Sequence, residues 1–590
     1  MKTRIFILSL LLIGFSMTQF ATVISVPSDY ETIQAAINAA SEGDTVLVAE
    51  GTYYENLVIT GKAITLASEF ILDGKSTHIS KTIIDGSQPV NPAVGSVVFL
   101  TSIPNSNTTL KGFTLTGGSG SYVDLLGAYI GGAVLLFNNG AVIENNIVAD
   151  NSIVQNNATF PGIGGAFLSN NTIIIRHNKI LRNSTIASDI TSGGGIGLLI
   201  ASQGVTVRIN HNIISDNSLT CTEGYSTLGG GIEIETAHGF GPDIQINNNT
   251  ITGNALHSET SMGGGMYIEF WENVPPDNST LNVQIFNNII TNNYAQDKGG
   301  GLAFFSMGGI TQPAFTYPIV PLVMNNTLLD NKASDGAGVF SYDLNLLLLN
   351  NILWDETDGE NCREIFQDYL PDVHFRSDLT WFADNNDGNL YAFNNCIKGG
   401  EAELQGAWFG ENNIEAYPKV NPALFKLLPK SPCLGTGAES VQIDDEWYTA
   451  PDFDFYDNPR PDAETGLVDM GAVMSDDLRR TGQRNQYGWQ ATKHSKLKTA
   501  FMENGTADAK KTQGVLHIYP NPIAEIATVS VTNQALITGL ELIDVSGKVV
   551  RHTENLQNNT VILNRQGLSN GMYLLRIHAD RIYLKKVILQ

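Results

Sequence analysis

The sequence predicts an all-β chain: a right-handed parallel β-helix solenoid with an N-terminal capping helix, followed by a small C-terminal antiparallel β-sandwich. Three observations lead there. Glycine runs recur at Gly131-Gly132, Gly164-Gly165, Gly194-Gly195, Gly230-Gly231, Gly264-Gly265 and Gly300-Gly301, in steps of 33, 30, 36, 34 and 36 residues, with a weaker copy at Gly336-Ala337-Gly338. Each run leads into an apolar alternation such as Ile232-Glu233-Ile234-Glu235, then a second strand, an asparagine pair and a third short strand such as Ile289-Ile290. The chain of 590 residues is rich in glycine (58) and poor in charge (16%), yet 42% hydrophobic, enough for a long core.

A fixed period of this size marks stacked supersecondary units. Three short strands per unit, joined by tight turns, make one coil of a parallel β-helix. Helical repeats do not suit the composition, because glycine and asparagine are poor helix formers. The pairs are Asn145-Asn146, Asn248-Asn249, Asn287-Asn288, Asn325-Asn326 and Asn350-Asn351, with His177-Asn178 and His211-Asn212 as variants. Asparagine tolerates the left-handed backbone of a tight turn. Stacked on its copy in the next coil, its amide can form a hydrogen-bonded ladder.

From the start of the chain, Lys2 and Arg4 precede the apolar run Ile5 to Phe15. That run is too short for a membrane span and reads as a signal peptide over residues 1–21. No later stretch of about twenty apolar residues follows, so no transmembrane span is expected. Ser28 and Glu31 have capping-box spacing, and Ile33, Ala36, Ile37 and Ala40 share one helical face. This helix should cover the open end of the first coil, with strands next over Thr45–Ala49, Asn56–Thr60 and Ala63–Ala67. The solenoid with its caps is read over 22–474. Its period fades after Trp354. Residues 475–513 are polar and read as a linker, and 514–590 alternate apolar strands with glycine turns.

Several segments resemble known families. Ser431-Pro432-Cys433-Leu434-Gly435-Thr436-Gly437, Asp452-Phe453-Asp454 to Asn458-Pro459-Arg460, and Val468-Asp469-Met470-Gly471-Ala472 resemble the closing segment of many secreted bacterial β-helix proteins, so 431–474 is read as the C-terminal cap. Tyr519-Pro520-Asn521-Pro522, Asp544-Val545-Ser546-Gly547-Lys548, Gly571-Met572-Tyr573 and the Lys585-Lys586 strand resemble the type A C-terminal sorting domain of the type IX secretion system. That resemblance implies a Bacteroidota source, engagement of the type IX machinery, passage across the outer membrane and removal of the domain on export. The protein would be secreted or held at the outer cell surface. Thr32-Ile33-Gln34-Ala35-Ala36-Ile37 and Gly51-Thr52-Tyr53-Tyr54-Glu55-Asn56 resemble the opening of pectin methylesterases and the wider pectin-lyase-like superfamily. The esterase motifs "QDTL" and "DFIFG" are missing. Phe366-Gln367-Asp368-Tyr369-Leu370 and Asp452-Phe453-Asp454-Phe455 only approximate them, and His238-Gly239 and Asp444-Asp445 lack the neighbours of a polygalacturonase site.

The chain carries 34 basic and 59 acidic residues, a net charge of -25. This excludes nucleic acid as a partner and disfavours polyanionic sugars unless cations bridge them. Lyase-type bases would come from Arg176, Lys179, Arg182, Arg208 and Lys298, which scatter through turns and read as solvated charges. In the strands after the glycine runs, Ile232, Met266 and Leu302 fall in register and point inward, as do Ile234, Ile268 and Phe304. Glu233, Glu235, Tyr267, Glu269, Ala303 and Phe305 then point outward, with Trp271, Glu272, Phe340 and Tyr342 close by. Carboxylates and aromatic rings on adjacent coils suit a polysaccharide, neutral or cation-bridged. Glu233, Glu235 and Glu269 are the candidate catalytic carboxylates. Tyr267, Trp271, Phe305 and Tyr342 are the candidate sugar-stacking rings. With no Lys or Arg expected on that face, a neutral glycan is favoured over a uronate. Whether the protein is an enzyme, a binding module or a structural or adhesive surface protein stays open. Asp452, Asp454 and Asp457 could ligate Ca²⁺ or simply satisfy cap backbone, the latter being preferred. Cys221, Cys362, Cys396 and Cys433 lack zinc-site spacing. A disulfide among the last three is favoured without a unique pairing.

Overall fold

The computed structural model describes residues 21–475 and 516–589 apart from short stretches, the longest being 271–280, 307–320 and much of 355–388. Three long parallel sheets of 13, 11 and 10 strands run the length of the solenoid, each taking one strand from nearly every coil. Two four-stranded parallel sheets widen the middle coils between Ser152 and Met262.

The core follows from register. In the 13-stranded sheet Ile143, Ile175, Ile209, Ile246, Ile285, Val323, Leu348 and Ala392 pair one upon the next, all buried. In the 10-stranded sheet Ile232, Met266 and Leu302 form one inward column, and Ile234, Ile268 and Phe304 another, as the alternation predicts. Period-two alternation gives each strand one apolar face, and stacking in register turns these faces into continuous columns.

The expected asparagine ladder is present and long. Asn146, Asn178, Asn212, Asn249, Asn288, Asn326, Asn351 and Asn395 each donate backbone and side-chain N–H to the side-chain oxygen of the next, at 2.8–3.1 Å, and the ladder ends on Asn413. The residue before each takes φ of 51–64°, which is why Asn or His stands there. A second ladder, unforeseen from the sequence, joins Asn151, Asn183, Asn217, Asn254, Asn293 and Asn331 at the next corner. The glycine runs serve close approach as well as bending. A Cβ on Gly231 would lie 2.5 Å from the Gly265 carbonyl oxygen, and one on Gly265 the same from Gly301.

The N-terminal cap is a helix over Ile33–Ala39, burying Ile33, Ala36 and Ile37. The Ser28–Glu31 capping box is corrected: Thr32 is the N-cap, its hydroxyl accepting from Ala35 N at 3.2 Å, because the chain before it makes a turn on Ser25. Strands follow at Thr45–Val48, Leu57–Thr60 and Thr65–Ser68, with Gly51–Tyr53 between them. The C-terminal segment forms antiparallel sheets of three and four strands around a core of its own, including Leu540, Leu542, Leu575 and Ile577. None of the described helices is long and apolar enough to cross a membrane.

Candidate functional site

The outward positions of the 10-stranded sheet stack as the alternation predicts. Glu233, Tyr267, Ala303 and Phe340 form one column, and Glu235, Glu269, Phe305 and Tyr342 the next. The Tyr267 hydroxyl donates to Glu269 Oε2 at 3.1 Å. Phe305 stacks on Tyr342 with ring centres 4.8 Å apart. Trp271 and Glu272 lie outside the described residues.

The expectation of rings open to solvent is corrected. Phe305 is 1% exposed, Tyr267 2% and Tyr342 4%. Met262 and Leu228, from short strands just before the glycine runs, pack against these rings. The expected absence of cations is corrected too. Lys298 Nζ lies 5.3 Å from the Phe340 ring centre and pairs with Asp297 and Asp335, each at 3.7 Å. Gly299, at φ +63°, turns the chain back and sets Lys298 beside the following coil. That placement depends on stacking, which the alternation of a single strand does not encode.

Burial divides the three carboxyls. Burial, reinforced by the Glu235 and Glu269 charges, pushes the Glu233 carboxyl well above the ordinary carboxylate range. Burial, then Glu269, likewise raises the Tyr267 phenol. Glu235 is only half-buried, and is the most accessible of the three. Such a face presents one accessible carboxyl group, Glu235, with Glu233, Glu269 and the rings buried beside it.

The other candidates are held in structural contacts. Arg176 pairs with Glu144 at 2.6 Å, Arg182 with Asp150 at 2.7 Å, and Arg208 with Asp243; Lys179 is exposed. Asp368 belongs to the strand Ile365–Asp368, but its side chain lies outside the described residues, as do Asp444 and His238.

Of Asp452, Asp454 and Asp457, Asp454 takes the cap role preferred from the sequence. Asp454 is buried and accepts from the amides of Tyr456, Asn458 and Met474, each at 2.8 Å, while Asp452 and Asp457 are exposed. The backbone of the cap takes up the Asp454 carboxylate. Among the described residues, the group whose possible ligand atoms converge is Glu50, Glu69 and His78. There His78 Nδ1 sits 3.0 Å from Glu50 and 3.7 Å from Glu69, its Nε2 faces Asp73 at 3.4 Å, and Lys81 pairs with Glu50. This is an ion-pair knot tying two short helices, Phe70–Asp73 and Ser76–Lys81, to the first coils.

The cap contains the clearest titrating group. Asp469 accepts from Gly435 N at 2.7 Å and Ser475 N at 2.8 Å, yet burial raises its carboxyl from 3.8 to about 6. A carboxyl with a raised folded-state pKa contributes stability that is fully present below the unfolded value and lost as pH climbs through the folded one. Between pH 3.8 and about 6 this group is expected to lose roughly 3 kcal/mol. Thermal melts from pH 3 to 7 should show Asp469→Asn gaining relative to wild type as pH rises across that window. A constant difference would refute the assignment.

Two family models match. "Right handed beta helix region" covers residues 100–281, and "Secretion system C-terminal sorting domain" covers residues 517–590. No curated protein and no solved structure matches the chain. The parallel coils and the ladders extend the first match on both sides, and the antiparallel C-terminal sheets coincide with the second. The chain is an exported right-handed β-helix protein, secreted or held at the cell surface, bearing a type IX secretion C-terminal sorting domain.

Proposed function

We propose that this protein recognises a neutral polysaccharide at the outer face of its 10-stranded sheet, centred on Glu233, Glu235 and Glu269. The observation that carries the reading is the stacking of Glu233 and Glu235 beside Tyr267 and Glu269 on adjacent coils, with Glu233 buried and its carboxyl pushed up by that burial. Withdrawing Glu233 and Glu269 from water opposes folding, and apolar residues would pack these positions at lower cost. Converging polar groups on a largely apolar wall are what sugar hydroxyls and ring faces require. Three glutamates against Lys298, itself paired with two aspartates, leave the site acidic and unsuited to a uronate. The same reading takes residues 1–21 as an export leader, 22–474 as the solenoid, 475–513 as a linker, 514–590 as the exported tail and the source as a member of the Bacteroidota.

A second reading draws on the unequal burial of the carboxyls. A buried Glu233 with a raised pKa beside an accessible Glu235 resembles the acid and carboxylate pair of glycoside hydrolysis. Glu233 would donate the proton, and cleavage would fall as pH rises through its raised pKa.

The full-length protein should be retained on at least one neutral plant, algal or microbial polysaccharide. Glu235→Ala should weaken retention at least ten-fold, while Glu233→Gln should fold and melt no lower than wild type at pH 8. New reducing ends that vanish in Glu233→Gln would establish the hydrolase. Retention unchanged by Glu235→Ala, or none across the panel, would remove the site from this face.

A further inference from the structure

The 11-stranded sheet ends on the strand Cys396–Ile397. The chain adds one more strand, Trp408–Glu411, to the 13-stranded sheet, and Cys433 then returns onto Cys396–Ile397 from the closing cap. Both thiols are fully buried. They share one small cluster with Ile352, Leu427 and Met470, with Cys396 close enough to act on the Cys433 thiol. The Cys396 thiol also reaches the Ala416 carbonyl at 3.2 Å. Cys433 is pinned on both sides. Its amide donates to Ser431 Oγ at 3.2 Å, and its carbonyl accepts from Met470 N at 3.1 Å.

Other uses for the pair meet physical objections. A nucleophilic cysteine needs access and a neighbour that favours the thiolate. Here burial pushes the Cys433 thiol up, and Asp469 pushes it further. A thiolate metal site needs additional donors, and the converging donor group among the described residues lies at Glu50, Glu69 and His78. The sorting domain carries the chain into compartments where disulfides form and persist.

We propose that Cys396 and Cys433 are joined by a disulfide in the exported protein, cross-linking the closing cap to the end of the coils. The oxidant is a dithiol–disulfide exchange protein of the cell envelope. The thiolate of one cysteine attacks its disulfide, forming a mixed disulfide and releasing one of its sulfurs. The second cysteine, as thiolate, displaces the other sulfur. Two protons and two electrons leave the pair, and the oxidant ends as a dithiol. Because both sulfurs are buried once the cap is seated, the exchange precedes docking of the cap.

The test uses full-length protein exported into an oxidising envelope, unfolded without reductant, alkylated and digested. The expected result is a linked peptide pair carrying Cys396 and Cys433, lighter by two hydrogens than the free peptides, with Cys221 fully alkylated. Full alkylation of Cys396 and Cys433, or a link from Cys362 to either, overturns the proposal. A second readout does not depend on recovering the peptides. Reductant should lower the melting temperature of wild type and leave that of the Cys396→Ala/Cys433→Ala variant unmoved. Equal sensitivity of the two proteins counts against the bridge.

Discussion

Replacing Asn288 with alanine is expected to destabilise the central coils by about 3–5 kcal/mol. Asn288 Nδ2 donates to the Ile246 carbonyl at 2.8 Å and to Asn326 Oδ1 at 3.0 Å, while its Oδ1 accepts both N–H groups of Asn249 at 3.0 Å. Alanine strands the Asn249 donors and a carbonyl at a buried corner. Each unsatisfied buried group costs about 1–3 kcal/mol. Asn247, partly exposed and bonded only locally to Asn248, is the control, and Asn247→Ala should cost below about 1 kcal/mol. Hydrogen exchange is the suitable measurement, since a solenoid couples mainly neighbouring units. Protection should fall over the coils around 249–326 and persist near Ile143. Equal losses in both variants would mean that the ladder adds nothing net.

The second large effect is expected at Arg460. Its guanidinium is 3% exposed inside the C-terminal cap, donating to Asn287 Oδ1 at 2.6 Å, Phe453 O at 3.2 Å, Gly471 O at 3.2 Å and Ala472 O at 3.3 Å. Burial lowers its pKa to about 10, while Asp454 and Asp469 hold the charge in place. Arg460→Met keeps much of the volume and removes the cation. Two buried carboxyls and four acceptors then lose their shared partner, at a cost of about 3–5 kcal/mol. The melting of the cap should separate from that of the coils, followed by limited proteolysis after residue 431. A single transition at the wild-type temperature would show that the arginine is replaceable by packing.

Much of this fold was legible because a β-helix repeats its own instructions. The steps between glycine runs, and the alternation Ile232-Glu233-Ile234-Glu235, were enough to place Met266 under Leu302 and Tyr267 beside Glu233, as the pairing shows. The first asparagine ladder announced itself as doublets. The second did not, because Asn183, Asn217 and Asn254 follow Arg182, Asp216 and Gly253, which share a left-handed backbone but no residue type. The cover over Phe305 and Tyr342 was hidden for another reason. Met262 and Leu228 belong to other coils, and only three-dimensional stacking sets them there. The same holds for Lys298 over Phe340 and for the engagement of Asp454 by amides up to Met474.

The ladders make coil number a free variable of this architecture. Every bond Asn288 makes ends on its own coil or an adjacent one, so a whole coil can be gained or lost while each corner closes on an equivalent partner. The 13-stranded sheet contains twelve strand-to-strand steps, about 58 Å at ~4.8 Å each. Duplication of a single coil would lengthen the rod by one such step without new chemistry. Lineages can therefore tune the reach of this protein as one sets a ruler, in fixed increments, leaving the carboxyl-bearing coils unchanged.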